Sequence, residues 1–125
     1  MPRPARDASA LLPLSVPALH VLLALADGDK HGYAIIKEVD RRTAGEVLLG
    51  AGTLYALVKR LLAEGLIAET TERPDPALDD ERRRYYRLTP FGRRVAVAEV
   101  ERLEGIVRQA RAKKLWRAAP RGERA

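Results

Sequence analysis

Gly52, Thr53, Tyr55, Lys59 and Arg60 lie within about three turns of a segment with helical periodicity, and together they offer backbone amides, a hydroxyl, a phenol and two cations. That set suits noncovalent recognition of phosphate and of base edges. At a helix start, Gly52 and Thr53 leave amides and a hydroxyl for an anion, helped by the positive end of the helix dipole. Lys59, two turns on, reaches a phosphate or a guanine edge, and Tyr55 offers its hydroxyl to a phosphate or its ring to a thymine methyl. Thr53 is also suited to capping its own helix.

The residues are poorly placed for covalent chemistry, and no catalytic residue, cofactor or metal site is assigned. His20 falls in an apolar stretch and reads as a packed core residue rather than a base. His31 belongs to a helix start with no serine or cysteine arrangement nearby. There is no cysteine at all, which removes disulfides, thiolate nucleophiles and Cys-type zinc sites, and which fits a reducing cytoplasm. Two histidines without a carboxylate cluster make a weak metal site, and Asp79-Asp80-Glu81 reads as solvated charge on a loop rather than a cation cage. Gly50-Ala51-Gly52 lacks the strand and spacing of a nucleotide-binding loop.

The elements that would position the recognition residues follow from periodicity. Leu54, Leu57, Val58, Leu61 and Leu62 recur at steps of three and four, giving a helix with one apolar face and Thr53, Tyr55, Lys59 and Arg60 on the other. Gly65 is its stop, and Leu66-Ile67 opens an extended run. Upstream, Ser15 and Pro17 read as an N-cap and a first-turn proline for a helix from Val16 to Ala26, buried through Leu19, Leu22, Leu23 and Leu25. Residues 1–14 read as a flexible arm. The apolar run Leu11 to Ala26 superficially resembles a secretory signal, but Pro13, Pro17 and His20 interrupt it, and it is too short to span a membrane. After a turn at Asp27-Gly28-Asp29-Lys30, His31-Gly32-Tyr33 opens a second helix to about Thr43, with Ile35, Ile36 and Val39 inward and Lys37, Glu38, Arg41 and Arg42 outward. Ala44-Gly45 ends it.

Three helices on short turns, the third with a polar front, make a helix-turn-helix core. Strands Ile67 to Glu72 and Arg83 to Leu88 then bracket a proline-bearing loop as a hairpin wing. Alternation puts Arg84, Tyr86 and Leu88 on one face and Arg83, Tyr85 and Arg87 on the other, with Tyr86 inward beside Leu88. Arg82 and Arg83 at the wing base are placed for backbone contact, or else are a charge run paired with Asp79, Asp80 and Glu81. The fold class is thus mainly α with a small β-hairpin: a winged helix-turn-helix over residues 15–89, a long terminal helix over 90–116 and a basic tail over 117–125.

A chain of 125 residues supports one domain and one modest core. The net charge of +6 is weak evidence for a nucleic-acid partner, because residues 31–92 hold ten Lys/Arg against ten Asp/Glu and the surplus sits beyond residue 92. The terminal helix, opened by Thr89-Pro90 and running to about Lys114 or Trp116, exceeds what a monomer of this size needs. Ala96, Val100, Leu103, Val107 and Ala110 alternate steps of four and three, the spacing of a coiled-coil seam. The simplest partner is a second copy, giving a two-fold homodimer that presents two recognition helices to a palindromic duplex. The competing reading folds the helix back on its own domain.

His31-Gly32-Tyr33-Ala34-Ile35, Gly52-Thr53-Leu54-Tyr55, Arg60-Leu61 through Gly65-Leu66-Ile67, and Arg84-Tyr85-Tyr86-Arg87-Leu88-Thr89 with Gly92 resemble the successive motifs of PadR-family transcriptional regulators. The resemblance runs from about Leu14 to Gly92 and implies a bacterial, cytoplasmic, homodimeric repressor of the compact subfamily, released by a small-molecule or other signal. It also implies that the second and third helices face double-stranded operator DNA, with Tyr33, Lys37, Gly52, Thr53, Tyr55 and Lys59 among the contacts, unless Tyr33 packs inside. Two departures stand out. The loop Pro74 to Glu81 is acidic where relatives carry glycine, and no aromatic lies between Phe91 and Trp116 to stack a planar drug. A ligand, if one enters, is expected between the first and last helices near Val100, Leu103 and Val107. The alternative function is a winged helix used for protein association without sequence-specific DNA binding.

Overall fold

The computed structural model describes residues 7–71 and 84–117. Helix α1 (Val16–Leu25) opens at Ser15, whose hydroxyl accepts from the Ala18 amide at 3.2 Å, with Pro17 in the first turn. Its buried residues, Ala18, Val21, Leu22, Ala24 and Leu25, fall within about half of its circumference, the side turned to the core. Leu23, expected inward, is 37% exposed. On a helix apolar nearly all round, hydrophobicity does not say which leucine turns outward.

A two-residue strand, β1 (Lys30–His31), was expected as turn and helix start; it pairs antiparallel with the last strand, Lys30 opposite Tyr86 and His31 opposite Tyr85. So short a strand has no period to detect, which is why sequence reading gives a hairpin where the structure has a three-stranded sheet. Lys30 also closes α1, donating to the Ala24 carbonyl at 2.6 Å and to Asp27 Oδ1 at 2.8 Å. Helix α2 (Gly32–Arg42) follows, capped by His31, whose Nδ1 accepts from the Ala34 amide. Ile35 and Val39 are fully buried, whereas Ile36 is only half-buried at the core edge.

Left-handed Ala44 and Gly45 turn the chain out of α2, with the Gly45 amide donating to Asp40 O. Helix α3 (Ala51–Ala63) has Gly50 as N-cap. Leu49 before the cap and Leu54 four positions into the helix are both buried, the arrangement of a hydrophobic staple that fixes the entry angle. Leu54, Val58 and Leu61 form the buried face, flanked by half-buried Leu57 and Leu62. Gly65, at φ +77°, ends the helix as expected: its amide donates to Leu62 O and the Leu66 amide to Leu61 O, closing both carbonyls.

Strands β2 (Ile67–Thr70) and β3 (Tyr85–Leu88) pair antiparallel, Ile67 opposite Leu88 and Thr70 opposite Tyr85, giving the sheet order β1-β3-β2. Tyr86 is buried as expected, but so is Tyr85 on the opposite face. The His31 ring covers Tyr85 edge-on with centroids 5.3 Å apart, a contact that exists only because of β1.

Helix α4 (Pro90–Ala112) is capped by Thr89, whose hydroxyl accepts from the Gly92 amide and donates to Gly65 O at 2.7 Å. The Leu66 carbonyl packs so close to Gly92 that any Cβ there would collide with it. The helix stops at Ala112, short of the expected Lys114 or Trp116, because Lys114 turns left-handed at φ +62° and sends the Leu115 amide back to Ala110 O. Residues 7–14 are not the free arm expected: a 3-10 helix, Ala8–Leu11, packs along α4, and Leu11, Leu12 and Leu14 rest on the core. Buried Glu99 on α4 anchors this segment, accepting from the Leu14 amide at 3.1 Å and from Arg102 at 2.6 and 2.9 Å. Those bonds, the Arg102 guanidinium foremost, hold the Glu99 carboxyl below its ordinary value despite burial.

Candidate nucleic-acid interface

Packing α3 through Leu54, Val58 and Leu61 leaves its opposite face in solvent, with Gly52, Thr53, Tyr55 and Lys59 all exposed. Tyr55 is 52% exposed even though its hydroxyl lies against α2, within 2.7 Å of where a Gly32 Cβ would stand. Gly32 is therefore the residue that lets α2 and α3 approach. On α2, Tyr33 is 60% exposed, which removes the reading that it packs inside, and Lys37 Nζ stands 5.4 Å from its ring centroid. The structure thus leaves Tyr33 and Lys37 exposed on α2 and Gly52, Thr53, Tyr55 and Lys59 exposed on α3, the two helices approaching where Tyr55 lies against Gly32.

The start of α3 is chemically open. Gly50 has no side chain, no side-chain hydrogen bond caps the helix, and Thr53 is therefore not the cap. The first amides of a helix have no partner within it, so these N–H groups and the dipole's positive end point outward. Lys59 has no ion-pair partner among the described residues, whereas Arg60 is engaged 3.6 Å from Glu64. Leu48, which sequence reading did not single out, is 71% exposed just ahead of α3, on a loop held by the Thr43 hydroxyl accepting from the Val47 amide. No local signal separates it from buried Leu49, since adjacent residues can both face the core, as Tyr85 and Tyr86 do.

Arg82 and Arg83, and the loop between the β2 and β3 strands, lie outside the described residues. Arg84 pairs with Glu69 across the sheet at 3.5 Å, and Arg87 grips Asp29 through bonds of 3.0 and 3.3 Å. His20, expected to be packed in the core, is half-buried at its rim, and Arg42 Nη1 lies 3.1 Å from its Nδ1. Burial and then the Arg42 charge push its pKa down, favouring a neutral ring.

On α4 the seam residues divide. Val100, Leu103 and Val107 are 37–49% exposed and Val97 and Ile106 are also exposed, whereas Ala96 packs against its own core and Ala110 is half-buried. A cleft of about 230 Å³ lies between α1 and α4, but of the three residues expected to line a ligand site there only Val100 does so. All three, Val100 included, line a second groove of about 440 Å³ farther along α4 with Glu104, Arg108 and Arg111, in which no α1 residue takes part. Among the described residues there is no cluster of metal-ligating side chains, and no helix is long and apolar enough to cross a membrane.

The family profile of PadR-like transcriptional regulators matches residues 21–98, the span from α1 through the first third of α4. The chain belongs to this family. Its place there accounts for the exposed polar helix face: family and neighbours are transcriptional regulators, not enzymes. This PadR-like chain is 33% identical over 91 residues to the transcriptional regulator Rv3488 of Mycobacterium tuberculosis, covering 73% of this chain and 78% of that one. It superposes on a transcriptional regulator from Clostridium thermocellum with a TM-score of 0.64 at 27% identity, covering 79% and 92% of the two chains. The fold is also that of Bacillus subtilis PadR, whose structure is in complex with operator DNA, at a TM-score of 0.57 and 22% identity over 69% and 48% of the two chains.

Proposed function

We propose that the protein is a cytoplasmic, homodimeric repressor that binds a palindromic operator through the exposed face of α2 and α3 and is released by a small-molecule or other signal. The observation that carries this reading is the uncapped N-terminus of α3, flanked by exposed Thr53, Tyr55 and Lys59 and by Tyr33 and Lys37 of α2. In that arrangement the Gly52 and Thr53 amides take a phosphate, and Lys59 and Tyr55 reach into the major groove. Arg82 and Arg83 contact the neighbouring backbone. The operator complex of Bacillus subtilis PadR supports DNA as the partner. A two-fold dimer through the Ala96, Val100, Leu103, Val107 and Ala110 face of α4 sets two copies of α3 side by side. The effector enters at this α4 face, near Val100, Leu103 and Val107.

The test is a fluorescence titration of duplex from the gene's own upstream region beside a scrambled duplex, at two salt concentrations. Sequence-selective binding of two protomers per site, weakening steeply with salt, is expected. Equal, weak binding to both duplexes, with genome-wide capture returning no enriched site, would leave a winged helix that associates with proteins.

A further inference from the structure

The exposed face of α4 is asymmetric along its length. Toward the N-terminal end it forms, with α1, the cleft of about 230 Å³ lined by Leu22, Leu23, Ala26, Ala96, Val97 and Val100. Toward the C-terminal end α1 no longer runs beside it, and the face carries Leu103 and Val107 and finishes at Arg111. Arg111 is stacked 5.1 Å over the ring of Trp116, which the left-handed turn at Lys114 folds back along the helix. Trp116 is 54% exposed and its neighbour Leu115 75% exposed, an apolar pair with nothing on its own subunit to bury it among the described residues.

The seam reads Ala, Val, Leu, Val, Ala from residue 96 to 110, the same order of residue types in both directions about Leu103, with Val100 three and Val107 four positions away. Two such helices crossing antiparallel at Leu103 lay the unbacked half of one over the cleft-bearing half of the other. The level of the Trp116 ring is that of Arg111, eight residues or about 12 Å beyond Leu103. Eight residues the other way is Val95, within the stretch 93–101 whose side chains line the cleft. Charge is mixed at the cleft rim, which carries Glu101 and Arg93: Arg108 comes to the level of residue 98, beside the partner's Glu101, while Arg111 comes to the level of residue 95, near the partner's Arg93, whose guanidinium donates to its own Ala26 carbonyl. A parallel pairing would instead set Arg111 against Arg111 and leave both clefts open.

We propose that Trp116 of each subunit docks into the α1–α4 cleft of the other, so that the cleft is completed by, and closed with, a second copy of this chain. This rests on the homodimer proposed above and adds to it a specific occupant. A ligand entering the cleft competes with Trp116, which couples effector binding to the geometry of the dimer.

The sequence makes the test clean, because it holds one tryptophan and no cysteine. Leu103→Cys reports the dimer itself through cross-linking by a short bismaleimide across the two-fold axis. Val97→Cys combined with Trp116→Cys reports the docking. Positions 97 and 112 are already about 22 Å apart along one helix, so their cross-link has to be intermolecular. Efficient cross-linking of both variants is expected. So is a blue-shifted, quencher-protected Trp116 emission that moves red in Leu23→Glu while sedimentation still shows a dimer. Cross-linking of Leu103→Cys without cross-linking of the Val97/Trp116 pair, together with solvent-like Trp116 emission, overturns the docking and leaves the dimer standing. Monomeric sedimentation with no cross-linking in either variant overturns both.

Discussion

Gly32→Ala separates the fold from the DNA-facing surface. The added methyl stands 2.7 Å from Tyr55 Oη, 3.1 Å from its Cζ and 3.2 Å from Leu54 Cδ2. Something has to move, and Tyr55, half in solvent, moves most easily because only the end of its ring is in the way. Overpacking against a rigid neighbour would cost about 1–3 kcal/mol, but swinging an exposed ring falls at the low end of that range. Alanine's better helix propensity returns only part of the roughly 1 kcal/mol it is worth in a helix interior, because Gly32 is the first residue of α2. Net stability should therefore change by less than about 1 kcal/mol. Operator affinity should fall by more, since Tyr55 no longer sits where it meets the duplex; losing one charge-assisted hydrogen bond costs about 1.5–3 kcal/mol, or roughly 10- to 150-fold. Fluorescence anisotropy on an operator duplex beside a thermal melt reads both quantities, with Tyr55→Phe as the variant that loses the hydroxyl alone. Wild-type affinity in a folded Gly32→Ala protein would refute the role of Tyr55, and a stability loss above about 3 kcal/mol would show that the α2–α3 approach cannot relax.

Gly92→Ala sets a methyl against the Leu66 carbonyl, a backbone atom that cannot swing aside, so its melting transition should fall by the equivalent of about 2–3 kcal/mol, well beyond that of Gly32→Ala. Because folding lowers the Glu99 pKa, that carboxylate stabilises the fold above its ordinary value of 4.5 and the contribution is lost as pH falls through the lower folded-state value. Chemical denaturation should find wild type about 1–3 kcal/mol more stable than Glu99→Gln near pH 7, with the gap closing below about pH 4. Lys59→Ala should weaken operator binding by about 1–3 kcal/mol if the lysine reads a base, as judged by titration; unchanged affinity with the fold intact removes it from the interface. Leu103→Glu should sediment as a monomer that binds DNA poorly, and a persistent dimer would refute the seam.

The helices and the residues of the recognition face were legible because each leaves a local mark. Ser15-Pro17, Gly65 and Thr89-Pro90 are start and stop signals that act within one turn, and the spacing of Leu54, Val58 and Leu61 gives the buried face of α3 directly. What sequence reading missed depends on contacts between distant segments. The β1 strand exists only against β3, and with it goes the burial of Tyr85 under His31. Glu99 looks like any charged helix residue until the Leu14 amide and Arg102 close around it, 85 and three positions away in sequence. The same contact turns an apparent arm into a strap across α4. The terminal helix was read too long because Lys114 adopts the left-handed turn without the glycine that ordinarily signals it.

The claim that α3 and α2 form the DNA-reading surface is tested most directly by following backbone amide resonances as operator duplex is added to the dimer. The account predicts that the largest shifts fall on Gly52, Thr53 and Tyr55, with a second set at Tyr33 and Lys37, and that α4 beyond Leu103 changes little. Shifts centred on the basic end of α4, with Gly52 and Thr53 unmoved, would contradict it.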